Sequence, residues 1–147
     1  TRSCGTLVVA MTTWTCPECS RTFGRVRAGH TCAPAMTLLT WLDTSPSYER
    51  PVALRLTAMV RSWPDVIIEP VQVGLFLKRR STFAQLRTMT RWTALTIKLP
   101  GEVTVPEPSR RVQRMGSRWF HTYNLAGETD LTGEVMSLVH KAYEADV

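Results

Sequence analysis

The sequence predicts an α+β domain, an antiparallel sheet flanked by N- and C-terminal helices, preceded by a small zinc-binding unit. Three observations predict it. Apolar residues recur at three- and four-residue steps around residues 48–63 and 131–145, and at two-residue steps between 66 and 125. Strands grouped in a run, with helices at either end, belong to α+β architectures. All four cysteines, Cys4, Cys16, Cys19 and Cys32, lie in the first 32 residues. Hydrophobic residues make up 44% of the 147, enough for one core, which excludes a disordered chain. No run of about 18 apolar residues is present, so no spanning helix is expected.

The chain divides into residues 1–13, 14–33 and 36–147. Residues 1–13 read as a leader. The recognisable pattern starts only after Met11, and translation from there would make Thr1–Ala10 an upstream, non-native addition. Its apolar run Leu7–Ala10 is too short for the core of a signal peptide. Residues 14–33 are the zinc-binding unit and 36–147 the α+β domain.

Within that domain Leu38, Leu39, Trp41 and Leu42 predict a short helix ended near Ser45-Pro46. A second helix follows over Tyr48–Trp63, with Val52, Leu56, Met59, Val60 and Trp63 on one stripe. Pro51 suits its first turn, and Pro64-Asp65 stops it. Val66–Ile68 is a short strand. Val71–Lys78 reads as one strand, with Val71, Val73, Leu75 and Leu77 on one face. Gly74 inside it signals a bulge or the close approach of another backbone. Phe83–Arg87 and Trp92–Leu99 are further strands, the latter with Thr93, Leu95, Ile97 and Leu99 facing one way. Glu102–Gln113, with Pro106 and Pro108, is an irregular excursion. Arg118–Leu125, rich in aromatics, is the last strand. A helix over Leu131–Ala145 closes the chain, with Thr129 or Asp130 as its cap.

The chemistry is most explicit in residues 16–32. Cys16, Cys19, His30 and Cys32 have the spacing C-x2-C-x10-H-x-C, three thiolates and one imidazole for a tetrahedral Zn²⁺. Such a shell leaves no open position for water, so the ion is expected to be structural. Metal is needed there because residues 14–33 contain few core-formers, Trp14, Phe23 and Val26. A structural zinc supplies on the order of 10 kcal/mol. Cysteines clustered in one segment point to metal binding in a reducing compartment, and hence a cytoplasmic protein, and not to a disulfide scaffold. The segment starts like a Cys2His2 finger, down to Phe23 four residues past Cys19, but lacks the closing H-x3-H pair. Cys4 is left as a spare thiol in the leader.

The net charge is +6, unevenly distributed. Residues 76–91 hold Lys78, Arg79, Arg80, Arg87 and Arg91 with no carboxylate, whereas the last twenty residues are strongly acidic. Arg21, Arg25 and Arg27 sit on the zinc unit with only Glu18 opposing them. Basic residues near an aromatic such as Trp92 suit a nucleic-acid backbone and its bases. The leading expectation is therefore a non-enzymatic binding module. Arg21, Arg25, Arg27, Lys78, Arg79, Arg80 and Arg87 would contact nucleic acid or another anionic partner, with no membrane involved. The competing expectation is a small-ligand protein or enzyme whose anion pocket on the sheet combines Lys98, Arg118 and His121 with Lys78. A third is a protein-interaction accessory whose charge is incidental. No nucleophile–base set, G-x-S-x-G, H-E-x-x-H or paired-carboxylate motif is present, so no catalytic residue is assigned. Glu49 and Glu69 lie near prolines and read as structural, and Glu69 is placed to pair with a basic neighbour.

Residues Glu69–Arg87 (EPVQVGLFLKRRSTFAQLR), followed by Arg91-Trp92 and Leu95–Leu99 (LTIKL), resemble a bacterial family known as a domain of unknown function. Small members of that family share the CPECSRTF-type zinc segment at Cys16–Phe23 and the APAMTL junction at Ala33–Leu38. The likeness spans about Trp14 to Tyr143. It implies a zinc segment followed by an α+β domain and brings no catalytic residues with it. The same domain is also fused to larger bacterial proteins labelled nuclease-like or transport-like.

Overall fold

The computed structural model describes residues 13–24, 26, 27, 29 and 36–147. The leader expectation for residues 1–13 and the spare thiol Cys4 thus fall almost wholly outside the described residues. Two short strands, β1 (Trp14–Thr15) and β2 (Thr22–Phe23), pair antiparallel in the N-terminal unit. Helices α1 (Leu38–Thr44) and α2 (Arg50–Val60) follow, and α3 (Gly133–Ala145) closes the chain. Between them lie β3 (Ile67–Val71), β4 (Gly74–Lys78), β5 (Thr82–Thr88), β6 (Thr93–Leu99), β7 (Gln113–Met115) and β8 (Arg118–Leu125). These six strands form one antiparallel sheet in the order β3-β4-β5-β6-β8-β7. The predicted α+β class, with helices at both ends of an antiparallel sheet, is the architecture found. Among the described residues no helix is long and apolar enough to cross a membrane.

The helices form where local chemistry allows them to start and stop. Thr37 caps α1 by accepting the Thr40 N–H at 3.1 Å, and the Ser45 hydroxyl closes it on the Trp41 carbonyl at 2.7 Å. α2 carries Pro51 in its first turn, where no donor is missed. It is shorter than its apolar stripe, because Arg61 already caps it and Asp65 takes a positive φ of 63°. The cap of α3 is Thr132, whose hydroxyl accepts the Val135 N–H, and not Thr129 or Asp130. Asp130 instead belongs to a 3-10 turn (Glu128–Asp130) and accepts the Ala126 N–H.

One strand was expected over Val71–Lys78, and the structure has a hairpin there. Val71 pairs with Gly74 across the two-residue turn Gln72-Val73. The sequence keeps alternating through the turn, so the pattern hides it, but pairing across a two-residue turn inverts the faces: Val71 shares a face with Gly74 and Phe76, opposite Leu75 and Leu77. Val73 is consequently half exposed instead of facing the core. Gly74 does mark a close approach: a Cβ there would lie 2.1 Å from the Leu86 carbonyl oxygen of the neighbouring strand. The register slips between Leu77 and Lys78, where Phe83 is the extra residue of a bulge in β5.

The core lies on one face of the sheet. Leu75, Leu77, Leu86, Leu95, Ile97, Leu99, Tyr123 and Leu125 meet Trp41, Val52, Leu56, Val60, Val135, Val139 and Tyr143 from the helices. Each fully buried leucine contributes about 1.5–3 kcal/mol of transfer free energy, so this single layer carries the domain. The other face, read from the register, presents Gln85, Arg87, Ala94, Thr96, Lys98, Phe120 and Thr122. That helix-free face positions the candidate site.

Candidate functional site

The N-terminal unit is built around a turn. The Cys16 N–H donates to the Arg21 carbonyl at 2.9 Å and the Ser20 N–H to the Cys16 carbonyl at 2.8 Å, with Ser20 at φ 63°. Cys16, Cys19 and Phe23 are buried together, with Trp14 packed on them and its ring 6.0 Å from that of Phe23. Val26, counted as a core-former, is instead exposed. The other two predicted zinc ligands, His30 and Cys32, lie outside the described residues, as does Arg25. Among the described residues no group of three or more potential ligands clusters.

A buried charge cluster joins this unit to the sheet. Glu69 on β3 receives Arg21 at 2.8 Å and Lys78 at 2.7 Å on the same oxygen, and all three side chains are at most 10% exposed. Lys78 Nζ stands 4.0 Å from the Phe23 ring centroid, within cation–π range, and Arg21 lies over the same ring. Burial pushes the Glu69 carboxyl up, but hydrogen bonds from Arg21 and Lys78 outweigh it and hold the group below the usual carboxylate range. Burial dominates at Lys78 and draws its ammonium below the usual lysine range, with Glu69 opposing. The asymmetry follows from stoichiometry: one carboxylate serves two cations. The backbone confirms the contact, since a Cβ on Gly24 would fall 2.3 Å from the Arg79 carbonyl oxygen. Glu69 thus has the basic partners expected of it.

The seven predicted anion contacts are therefore divided. Arg21 and Lys78 face inward onto Glu69. Arg79 donates to the Tyr143 carbonyl at 3.1 Å and lies over the Tyr143 ring. Arg27, Arg80 and Arg87 are exposed. The backbone N–H groups of Arg80 and Ser81 donate to Asp146 Oδ2, each at 2.9 Å, and the Ser81 hydroxyl to Oδ1 at 2.6 Å. Burial raises the Asp146 carboxyl, but the Ser81 and Arg80 hydrogen bonds and the Lys98 charge together hold it below its ordinary range.

The alternative pocket does not assemble as a unit. Lys98 donates to the Ser81 hydroxyl and lies 3.4 Å from Asp146, and Arg118 donates to the Ala145 carbonyl at 3.2 Å. Both are therefore gathered at the C-terminal end of α3. His121 pairs with Ile97, not Lys98, so it faces the core side and is fully buried. Its Nε2 accepts the Val103 N–H at 2.9 Å, which leaves Nδ1 to donate to the Trp119 carbonyl at 3.1 Å. Both nitrogens are thereby committed to backbone.

The helix-free face carries a concavity of about 300 Å³ that the sequence reading did not anticipate. Ala94, Thr96 and Thr122, neighbours in register, present short side chains there, and the Thr96 and Thr122 hydroxyls are 3.1 Å apart. Arg87, Arg110, Arg111, Gln85, Gln113, Met89, Met115 and Phe120 complete the lining, with no carboxylate among them. No ion pair within 4.0 Å engages Arg87, Arg110 or Arg111 among the described residues. Arg110 and Arg111 arrive from the excursion after β6. The Ser109 N–H donates to the Thr122 carbonyl and its hydroxyl accepts the Asn124 N–H, each at 2.8 Å, which ties the excursion to β8. The tandem arginines beside two prolines were the available signal. A smaller concavity lined by Thr82, Phe83, Ala84, Gln85, Thr96, Lys98 and Phe120 adjoins the first, sharing Gln85, Thr96 and Phe120 with it.

The family described as Domain of unknown function (DUF5655) matches residues 42–146, from the end of α1 through the last residue after α3 that Arg80 and Ser81 hold. No curated protein and no solved structure shows a significant match.

Proposed function

We propose, from the premise that the chain belongs to the DUF5655 family, that it is a zinc-stabilised, non-enzymatic binding module presenting a basic surface to an anionic partner, nucleic acid foremost. The observation that carries this reading is the convergence of Arg87, Arg110 and Arg111 on one concavity free of carboxylates. Three guanidiniums that make no ion pair among the described residues favour phosphate oxygens, which they can meet in bidentate fashion. Arg27 and Arg80 are exposed as well, the first on the N-terminal unit and the second beside it at Gly24.

Zinc enters as structural support. Cys16, Cys19, His30 and Cys32 would hold the ion, and its bonds would supply folding free energy that residues 14–33 lack. The fit rests on Cys16 and Cys19, which are buried in one tight turn and form, with Phe23, the small core of that unit. Metal analysis of the purified native protein is expected to give one zinc per chain.

The binding test is fluorescence anisotropy with labelled oligonucleotides over a salt series. Three phosphate contacts on a single strand predict a slope of log K against log salt of about −2. Binding that is indifferent to salt, or absent at low salt, overturns the proposal.

A further inference from the structure

The two adjoining concavities on the sheet differ in character, and this difference identifies a ligand. The larger one is lined by Arg87, Arg110 and Arg111; the smaller one is lined by Thr82, Phe83, Ala84 and Lys98 and is mostly apolar. Phe120 lines both, partly buried, on the penultimate strand of a sheet face on which no helix packs. Register confirms the placement: Phe120 pairs with Lys98 on one side and Gln113 on the other.

We infer that this face binds single-stranded nucleic acid one nucleotide unit at a time, with a base stacked on Phe120 and its flanking phosphates on Arg87, Arg110 and Arg111. The inference rests on the basic-surface reading above and adds the occupant and the stacking residue. The charge supplies the first argument, since a cleft with three arginines and no acid selects a polyanion. The partly exposed aromatic supplies the second, since a duplex offers its phosphates but keeps its bases stacked inside, beyond the reach of Phe120. Size supplies the third: a concavity of about 300 Å³ has room for a nucleotide, not for a double helix. Gln85 and Gln113, which line the same cleft, offer both donors and acceptors to a base edge without committing to one base.

The test compares four labelled probes with the full chain: a thymidine oligomer, an abasic sugar-phosphate oligomer of equal length, a duplex and a poly-glutamate peptide. The thymidine oligomer is expected to bind tightest. Phe120→Ala is expected to weaken it by about 5- to 150-fold, the range for loss of one stacked base, with little change in salt slope. Phe120→Leu keeps the apolar volume but removes the ring face, so a similar loss in that variant, with an unchanged melting temperature, separates stacking from misfolding. Arg110→Gln with Arg111→Gln is expected to make the salt slope about 1.4 shallower, since two contacts are lost. Abasic and thymidine oligomers binding equally, or Phe120→Leu binding like the unmodified protein, overturns this inference but leaves the basic surface intact. Tighter binding of the duplex or the acidic peptide overturns the choice of occupant. Failure of all four probes at low salt overturns the basic-surface reading itself.

Discussion

Replacing Glu69 by alanine removes a carboxylate that Arg21 and Lys78 share in the seam between the N-terminal unit and the sheet. Lys78 is only 5% exposed, so its ammonium would be left in a low-dielectric site facing the Arg21 charge. Removing one partner of a buried pair typically costs 3–5 kcal/mol. Two features pull toward the lower end. Lys78 can release its proton, since burial already favours the neutral amine, and it retains the Phe23 ring face. A loss of about 3 kcal/mol is therefore expected, or about 10 °C in melting temperature for a domain of this size. Urea unfolding followed by far-UV circular dichroism measures it. Thiol labelling gives the mechanism, since undocking of the unit should expose the buried Cys16 and Cys19 before the sheet melts. Glu69→Gln should fall between the two, keeping one acceptor but no charge. A loss below about 1 kcal/mol for Glu69→Ala, the size expected of a solvated surface pair, would refute the reasoning that this seam is a buried electrostatic joint.

Three further outcomes are expected. Glu49 is fully buried and accepts hydroxyls from Thr88 and Thr93, yet burial pushes its carboxyl above the ordinary range. Its folded pKa exceeds its unfolded one, so stability should rise as pH falls through the raised value toward the ordinary one, and Glu49→Gln should flatten that rise in urea titrations run across this interval. Asp146 has the opposite sign: its lowered pKa contributes stability above the ordinary carboxylate range that is lost as pH falls through the folded value. Asp146→Ala should cost about 2–3 kcal/mol at neutral pH, the scale of hydrogen bonds to a charged group, and much less in acid, as thermal melts at both pH values would show. Chelator treatment should accelerate amide exchange in residues 14–33 far more than in β5, β6 and β8; equal acceleration would mean that the two parts form one cooperative unit.

The fold was legible where burial imposes a period. β6 and β8 each carry an alternation with one face mostly apolar or aromatic, and the helix stripes of α2 and α3 are equally plain, so their positions could be read within a few residues. The hairpin at Gln72-Val73 was not legible, because the apolar residues of the sequence alternate straight through it although the turn inverts the faces, and neither turn residue is a glycine or proline. The cap of α3 was missed for a similar reason. Thr129, Asp130 and Thr132 all have capping side chains, and only the intervening 3-10 turn decides among them. Glu69 was read correctly as a partner for a basic residue. That it would recruit a cation from β4 and another from a unit 48 residues away depends on docking, which composition does not encode.

The distribution of charge was the least legible property, and topology explains why. In the chain, Lys78, Arg79 and Arg80 form the densest basic run. The β3–β4 register sets the first of these on the same face as Glu69, which it meets, and Tyr143 takes the second. The run therefore serves largely as an internal fastener, and its charge is partly neutralised before any ligand arrives. Arg87 and the Arg110-Arg111 pair are more than twenty residues apart in sequence. They meet because β8 returns beside β6, which sets the excursion two strands away from Arg87 with only the short side chain of Ala94 and its threonine neighbours between. A contiguous basic run can remain positive in any fold, whereas a cleft of arginines assembled across three strands exists only in this one. Substituting small residues at its floor should therefore discriminate between general charge and a shaped site: Thr96→Arg adds a cation to the surface yet fills the cleft. If binding follows net charge, affinity should increase; if it follows the cleft, affinity for a single strand should fall despite the added charge. The second outcome is the one that the geometry requires.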